Sequence, residues 1–592
     1  MLDDLEPTRV VSAAQRAAAA SPSGAAMTAP SPIDDGDLAD IVAAVAREDR
    51  PAAASLAKAA LGRGLEHPLV LVLVAEALET EGDPSQAAAL LQKAAALAPD
   101  GLEVWRRLGR LLAAQGMQTE AAAAFDQALA IAPTALPILL DAGVASFRSG
   151  DLKTAEDRYR RAAELAPHEA EPLAALAAIA ARKGDVAQAR VQAERALRLQ
   201  PDSISAHMAI GRADLSDGAA DRAEVRMSEL LGRSDLNHDS RVGALDLRAE
   251  ALDRLDRAAD AFADYTARNS ILERLHAPRM ANERRIDQAR RLNAYFARAP
   301  AQPWRRPAGR DEEGARAARG HVFLLGFPRS GTTLLEKALA GHSDVVTLDE
   351  VDHLIEIADP LLDEVEDLAR LSPEAADAHR QVYWRGVRET VGESLPGKVV
   401  VDKMPLHTAA LPVIAKLFPD ARILFAVRDP RDVALSCFRR RFQINAAMFE
   451  FLTLDGAARY YDQVMALAKI YRGLLPLAVH EVRYESMVAD FDQQMRRVLG
   501  FIGLDWDQNV AGFAERAAAA PRTPSGPQLA RGLNTDGVAQ WRRYERQMAP
   551  VAGLLEPWAS HFGYPPAGSS VDAAVKSWGF GFRVVHRPLW RG

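Results

Sequence analysis

The chain has 592 residues, 48% of them hydrophobic and 26% charged, and its 80 acidic residues against 72 lysines and arginines give a net charge of -8. That length exceeds what one hydrophobic core organises, so two or more domains are expected, and the acidic balance argues against general affinity for nucleic acid. The single cysteine, Cys437, excludes an intramolecular disulfide and a cysteine metal cluster, and points to a reducing, cytoplasmic setting.

Residues 1–33 are rich in Ala, Ser and Pro and carry Asp3, Asp4 and Glu6, so they read as a flexible segment and not as a secretory signal. Nowhere do about 18 to 20 uninterrupted apolar residues occur, so no transmembrane segment is expected. From there one period governs the chain. Pro99, Pro133, Pro167 and Pro201 recur every 34 residues, and Gly82, Gly116, Gly150, Gly184 and Gly218 keep the same spacing. Glycine permits the positive φ that a tight turn between two helices needs. The interval is that of tetratricopeptide repeats, and the unit with Trp105, Leu108, Gly109, Ala121, Phe125, Ala128 and Pro133 resembles that family position by position. Five or six units are predicted over residues 34–275, stacked as an α-solenoid in which each unit buries its neighbour's apolar face. The resemblance implies a groove that recruits a peptide or protein. Homodimer formation and passive scaffolding are the other readings left open. Residues 276–319, with Pro300, Pro303, Pro307 and many arginines, read as a helical linker.

At His321–Gly326 an apolar strand leads into F-P-R-S-G-T-T and then the helix-forming run L-L-E-K-A-L-A. Strand, loop and helix in that order make an anion site, because unpaired N–H groups and the helix dipole converge there. Set against G-x-x-x-x-G-K-[ST], Gly326 and Gly331 match, but Thr332 stands where the lysine belongs. A P-loop kinase is therefore the weaker reading. A second strand, Ile423–Val427, ends at Arg428, and a helix from Pro430 carries Ser436. Val401–Pro405, Val482–Glu485 and Phe501–Trp506 complete the run of motifs.

These blocks, in this order, resemble the sulfotransferases, with P-R-S-G-T-T similar to the 5′-phosphosulfate loop of tyrosylprotein sulfotransferases and bacterial relatives. The resemblance implies a P-loop-like three-layer α/β/α domain with a parallel sheet over residues 320–564. Its co-substrate is 3′-phosphoadenosine 5′-phosphosulfate (PAPS), with no metal. Arg329, Ser330, Gly331, Thr332 and Thr333 are then assigned to the 5′ side, and Arg428 and Ser436, eight residues apart, to the 3′-phosphate. Tyr484 is either a nucleotide contact or a core residue. Lys403 is assigned to the transferring sulfuryl group together with Arg329, and Glu350 to the general base, with Asp349 and His407 as competing assignments. Thr523 to Trp541 resembles a nucleotide-covering segment, with Ser525 and Arg531 as candidate contacts. The tail from residue 565, containing Trp578, Phe580, Phe582 and Trp590, is expected to cover protein and not membrane. The acceptor carries a hydroxyl, and tyrosine in a recruited peptide is one candidate. A non-catalytic scaffold with a degenerate transferase domain is the alternative from another class.

Overall fold

The computed structural model describes residues 35–569 apart from 282–283, 306, 393–394, 520–528 and 530–531. The chain divides into two compact units, Met1–Ala251 and Leu252–Gly592.

In the first unit the 34-residue period becomes helix pairs: Pro68–Glu81 with Pro84–Leu97, Leu102–Ala114 with Gln118–Ile131, Leu136–Arg148 with Leu152–Leu165, Ala170–Lys183 with Val186–Leu199, and Ile204–Ser216 with Ala220–Leu231. Another pair, Asp35–Ala46 and Arg50–Gly62, precedes them. The glycines of the second series all turn with φ between 78° and 87°, the left-handed region where a Cβ is penalised. Asp83, Asp151 and Asp185 follow three of these glycines and cap the next helix, each carboxylate accepting a backbone N–H three residues on at 3.0 Å.

Within each pair, helix approach is set by matched side-chain sizes. A Cβ on Gly109 would lie 2.7 Å from the Phe125 ring, one on Gly143 2.7 Å from Tyr159, and one on Gly211 2.8 Å from Met227. Between Gly143 and Gly211 the position is Ala177, and the residue that corresponds to Tyr159 and Met227 is there only Ala193. Both alanines are fully buried in one cluster. In these four pairs large meets glycine and small meets alanine, which keeps interior density; in the first repeat Ala75 stands with the mid-sized Leu91.

The second unit is built on five parallel strands: β1 (Gly320–Gly326), β2 (Val345–Asp349), β3 (Val399–Lys403), β4 (Arg422–Val427) and β5 (Ala478–Arg483), ordered β2-β3-β1-β4-β5. β1, β3 and β4 are almost wholly buried, as near-continuous apolar runs in a parallel sheet should be. Register pairs Asp349 with Lys403, Leu324 with Lys403, and Gly326 with Ala426, so the strands' carboxyl ends lie level. The chain leaves β1 toward β2 and leaves β4 toward β5, in opposite directions along the sheet. A crevice opens between the ends of two such neighbouring strands, and ligands of open α/β sheets bind there.

This unit begins earlier than the linker reading allows. Helix Ala258–Met280, most of which falls within the stretch 34–275 read as repeats, sends Arg268 and Asn269 to the carbonyl of Phe438 at 3.2 and 3.0 Å. They satisfy the carboxyl end of helix Pro430–Arg439. Residues 285–304, read as linker, pack too: Phe296 lies against Trp304 and Tyr471 with ring centroids 4.7 and 5.0 Å apart. The arginines of this stretch are paired, Arg285 with Asp359 and Arg284 with Glu450.

Beside β1 and β3 an aromatic cluster encloses a polar chain. His321 is hydrogen-bonded through Nε2 to the Tyr383 hydroxyl at 2.9 Å, and Tyr383 donates to Asp402 at 2.8 Å. Burial pushes His321 down to about 3, so its Nε2–H is the donor to Tyr383, and burial pushes Asp402 up to about 6.

Candidate active site

The loop after β1 is shaped by two close approaches. A Cβ at Gly326 would meet the Ala426 carbonyl oxygen at 2.6 Å, and one at Gly331 would meet the Tyr484 ring at 2.8 Å. Between them Arg329 holds φ +70°, a left-handed conformation uncommon for a residue with a side chain. Ser330, Thr332 and Thr333 are buried at the amino end of helix Thr332–Leu339, whose first N–H groups have no partner within the helix.

Arg428 leaves the end of β4 and is 7% exposed. Its Nη1 donates to the Arg329 carbonyl at 2.9 Å, its Nη2 donates to the Gly537 carbonyl, and its guanidinium lies 4.9 Å from the Tyr484 ring centroid. Its Nε is buried without a hydrogen-bond partner among the described residues. Ser436, assigned by its spacing to the same phosphate as Arg428, instead accepts from Nε of Arg329 at 3.0 Å. Arg329, Gly331, Thr333, Arg428 and Tyr484 thus line one cavity, closed on its far side by Leu529, Gly532, Leu533 and Asn534. Burial, with Arg440 and Arg428 adding repulsion, pushes the Arg329 guanidinium down to about 9. An anion placed beside these arginines would offset that repulsion. The closing residues follow the stretch 520–528, so Thr523, Ser525 and, two places on, Arg531 lie outside the described residues.

On the other side of β1, the ends of β2 and β3 hold a cluster of charges. Lys403 is fully buried, and its Nζ lies 2.6 Å from Glu350 Oε1 and 2.7 Å from Asp349 Oδ1. Burial works against this ammonium, but the two carboxylates outweigh it and raise its pKa. The carboxylates differ in surroundings. Asp349 is 15% exposed and also takes Lys337 at 2.8 Å, and although burial opposes it, the two lysines bring its carboxyl down to about 2. Glu350 is 36% exposed, holds φ +56°, and donates its backbone N–H to the Lys403 carbonyl at 3.1 Å. Of the pair, Glu350 is the more exposed, and Asp349 is held between two lysines. His407 is buried and bonded through Nε2 to Asp352 at 3.0 Å, while Asp352 also takes the Leu354 and Ile355 N–H groups. Burial disfavours the imidazolium, yet Asp352 raises its pKa above the ordinary value.

Sequence reasoning missed Lys337, which links Asp349 to Glu336 at 3.1 Å. The signal was present: two adjacent opposite charges in a helix whose every residue is buried. Among the described residues no group of three or more His, Cys, Asp or Glu is placed to hold a metal ion, and no helix is long and apolar enough to cross a membrane.

Comparison with known proteins agrees with both units. A model of the sulfotransferase family matches residues 321–508, and a tetratricopeptide-repeat model matches 39–101, 75–135 and 140–204. An uncharacterised protein of Aquifex aeolicus (strain VF5) is 25% identical over 252 residues, 40% of this chain and 33% of its own. Protein-tyrosine sulfotransferase 1 of Danio rerio is 26% identical over 41% of this chain and 72% of its own, and protein-tyrosine sulfotransferase of Drosophila melanogaster 24% over 42% and 53%. The chain thus spans a third of the Aquifex protein and about half of the Drosophila one. Among solved structures, the crystal structure of MamA protein is 20% identical with a TM-score of 0.26, over 29% of this chain and 96% of its own. The chain carries tetratricopeptide repeats in its first half and a sulfotransferase-family domain in its second.

Proposed function

We propose that the second unit transfers a sulfuryl group from PAPS to an acceptor hydroxyl. The observation that carries this reading is the convergence of Arg329, Arg428, Gly331, Thr333 and Tyr484 on one cavity in the crevice between β1 and β4. The buried Nε of Arg428, without a partner, is a directional donor suited to a phosphate oxygen. The loop N–H groups, Ser330, Thr332 and Thr333 would hold the 5′ end, and Arg428 the 3′-phosphate. Ser436 would act through Arg329 by fixing its guanidinium. When bound, PAPS supplies the sulfuryl group and a phosphate leaving group.

Glu350 takes the proton from the acceptor hydroxyl, because its carboxylate is the more exposed of the two while Asp349 is held between two lysines. Lys403 and Arg329 set positive charge where the leaving oxygen becomes negative, in a site where burial strengthens the field. The names of the relatives make tyrosine in a peptide the acceptor of first choice, with the repeats recruiting it. A kinase reading is disfavoured by Thr332 at the lysine position of the phosphate loop. A degenerate scaffold is disfavoured by the joint presence of Arg329, Glu350, Lys403 and Arg428.

Calorimetric titration with 3′-phosphoadenosine 5′-phosphate, followed by transfer of labelled sulfate from PAPS to a tyrosine-containing peptide, tests this. Metal-independent binding and labelled peptide are expected. Binding of ATP with magnesium, and none of the bisphosphate, would sink the reading.

A further inference from the structure

The cavity's far wall, residues 532–534, runs on into 535–541, and nothing in the sequence motifs accounts for what holds that stretch in place. Besides the bond from Arg428 to the Gly537 carbonyl, three residues of helix Pro430–Arg439 hold it. Asp432, 1% exposed, accepts the Ala539 N–H on Oδ2 at 2.7 Å and the Trp541 N–H on Oδ1 at 2.9 Å. Arg431 lies 4.1 Å from a Trp541 ring centroid, and Arg439 donates to Gln540 at 3.1 Å. Ala539, whose N–H Asp432 takes, holds φ +55°. For a residue with a Cβ this conformation costs roughly 1–2 kcal/mol relative to the right-handed one, so something must hold it. The two bonds to Asp432 supply that hold, and they place the Gly537 carbonyl where it accepts from Nη2 of Arg428.

We infer that Asp432 is a positioning residue for nucleotide binding: by pinning the backbone at Ala539 and Trp541 it aims Arg428 through Gly537 and keeps the Leu533–Asn534 wall over the cavity. The inference rests on the sulfotransferase reading of that cavity. Both ends of the wall's support lie on the segment from β4 through its helix, so the arginine and the backbone that orients it are held by one rigid element. The hydrogen bonds of the Asp432 carboxylate go to the strap at Ala539 and Trp541, and its charge also acts on Arg428.

The test uses the full chain with 3′-phosphoadenosine 5′-phosphate as probe. Asp432→Asn keeps one acceptor oxygen and should weaken binding about tenfold, and Asp432→Ala, which keeps none, by a larger factor. The KM for PAPS should rise more than kcat falls, and amide exchange should quicken at 537–541. Adding Ala539→Gly to Asp432→Asn removes the strain that needs holding and should return most of the lost affinity. Wild-type affinity and exchange in both Asp432 variants would overturn the inference, as would a fall in kcat with KM unchanged, which marks loss of folded protein only. Absence of probe binding by the unaltered chain is a distinct result: it overturns the sulfotransferase reading, and the inference with it.

Discussion

Replacing Arg428 by lysine separates the phosphate it is proposed to hold from the loop it braces. A guanidinium has five N–H donors. In the structure one serves the Arg329 carbonyl, one serves the Gly537 carbonyl, and the Nε donor has no partner. Lysine keeps the charge but loses the fork. If the unspent donors meet the 3′-phosphate, each lost charge-assisted bond removes about 1.5–3 kcal/mol. That corresponds to about 10- to 100-fold in affinity for 3′-phosphoadenosine 5′-phosphate. Adenosine 5′-phosphate, which lacks the 3′ group, should lose only the smaller part that comes from a loosened loop. Calorimetry of both ligands on the unaltered chain and on Arg428→Lys reads the difference directly, and thermal melts verify that both proteins are folded. An equal loss for the two ligands would refute the assignment and leave Arg428 as a brace for the loop alone.

Glu350→Gln should lower turnover about 100- to 10 000-fold, the usual reach of general base catalysis. Binding of the bisphosphate should be retained, because Lys403 keeps Asp349 as its partner. Asp402→Asn tests a pH effect of known sign. The Asp402 carboxyl is raised to about 6 when folded, so the stability it contributes is present below its unfolded pKa near 3.8 and is lost as pH rises through about 6. Between those limits the unaltered chain should lose about 3 kcal/mol relative to Asp402→Asn, read from urea unfolding at pH 3.5 and 7.5. His407, Asp352 and Lys403 also act on that carboxyl, but they are present in both proteins. In the repeats, Gly109→Ala should cost about 1–3 kcal/mol by driving a methyl into Phe125. Ala193→Phe should be destabilising alone and partly rescued by Ala177→Gly, as measured by denaturant midpoint.

The repeats were legible because each unit satisfies its backbone and core within about two helices, so one stretch of sequence contains the whole pattern. Gly82, Gly116 and their successors marked left-handed turns that glycine adopts at least cost, whereas Glu48 and Asp256, which hold φ 58° and 59° at turns of the same kind, gave no such mark. The phosphate loop and Arg428 were legible for a similar reason, since strand end and loop are contiguous. What escaped was long-range. Arg268 and Asn269 read as residues of a fading repeat, and their target, Phe438, lies about 170 positions away. Spacing paired Ser436 with Arg428, whereas its hydroxyl accepts from Arg329, a contact between residues 107 positions apart. The closing wall at Leu529–Asn534 is assembled from a stretch with no strong period, and Asp432 is visible only once its two N–H partners are in place.

A single ammonium wedged between two acids also ties two strand ends together. At the end of β3, Lys403 holds one oxygen of Glu350 while Asp349 at the end of β2 takes the same ammonium, so any anion that came to share Lys403 would loosen both contacts at once.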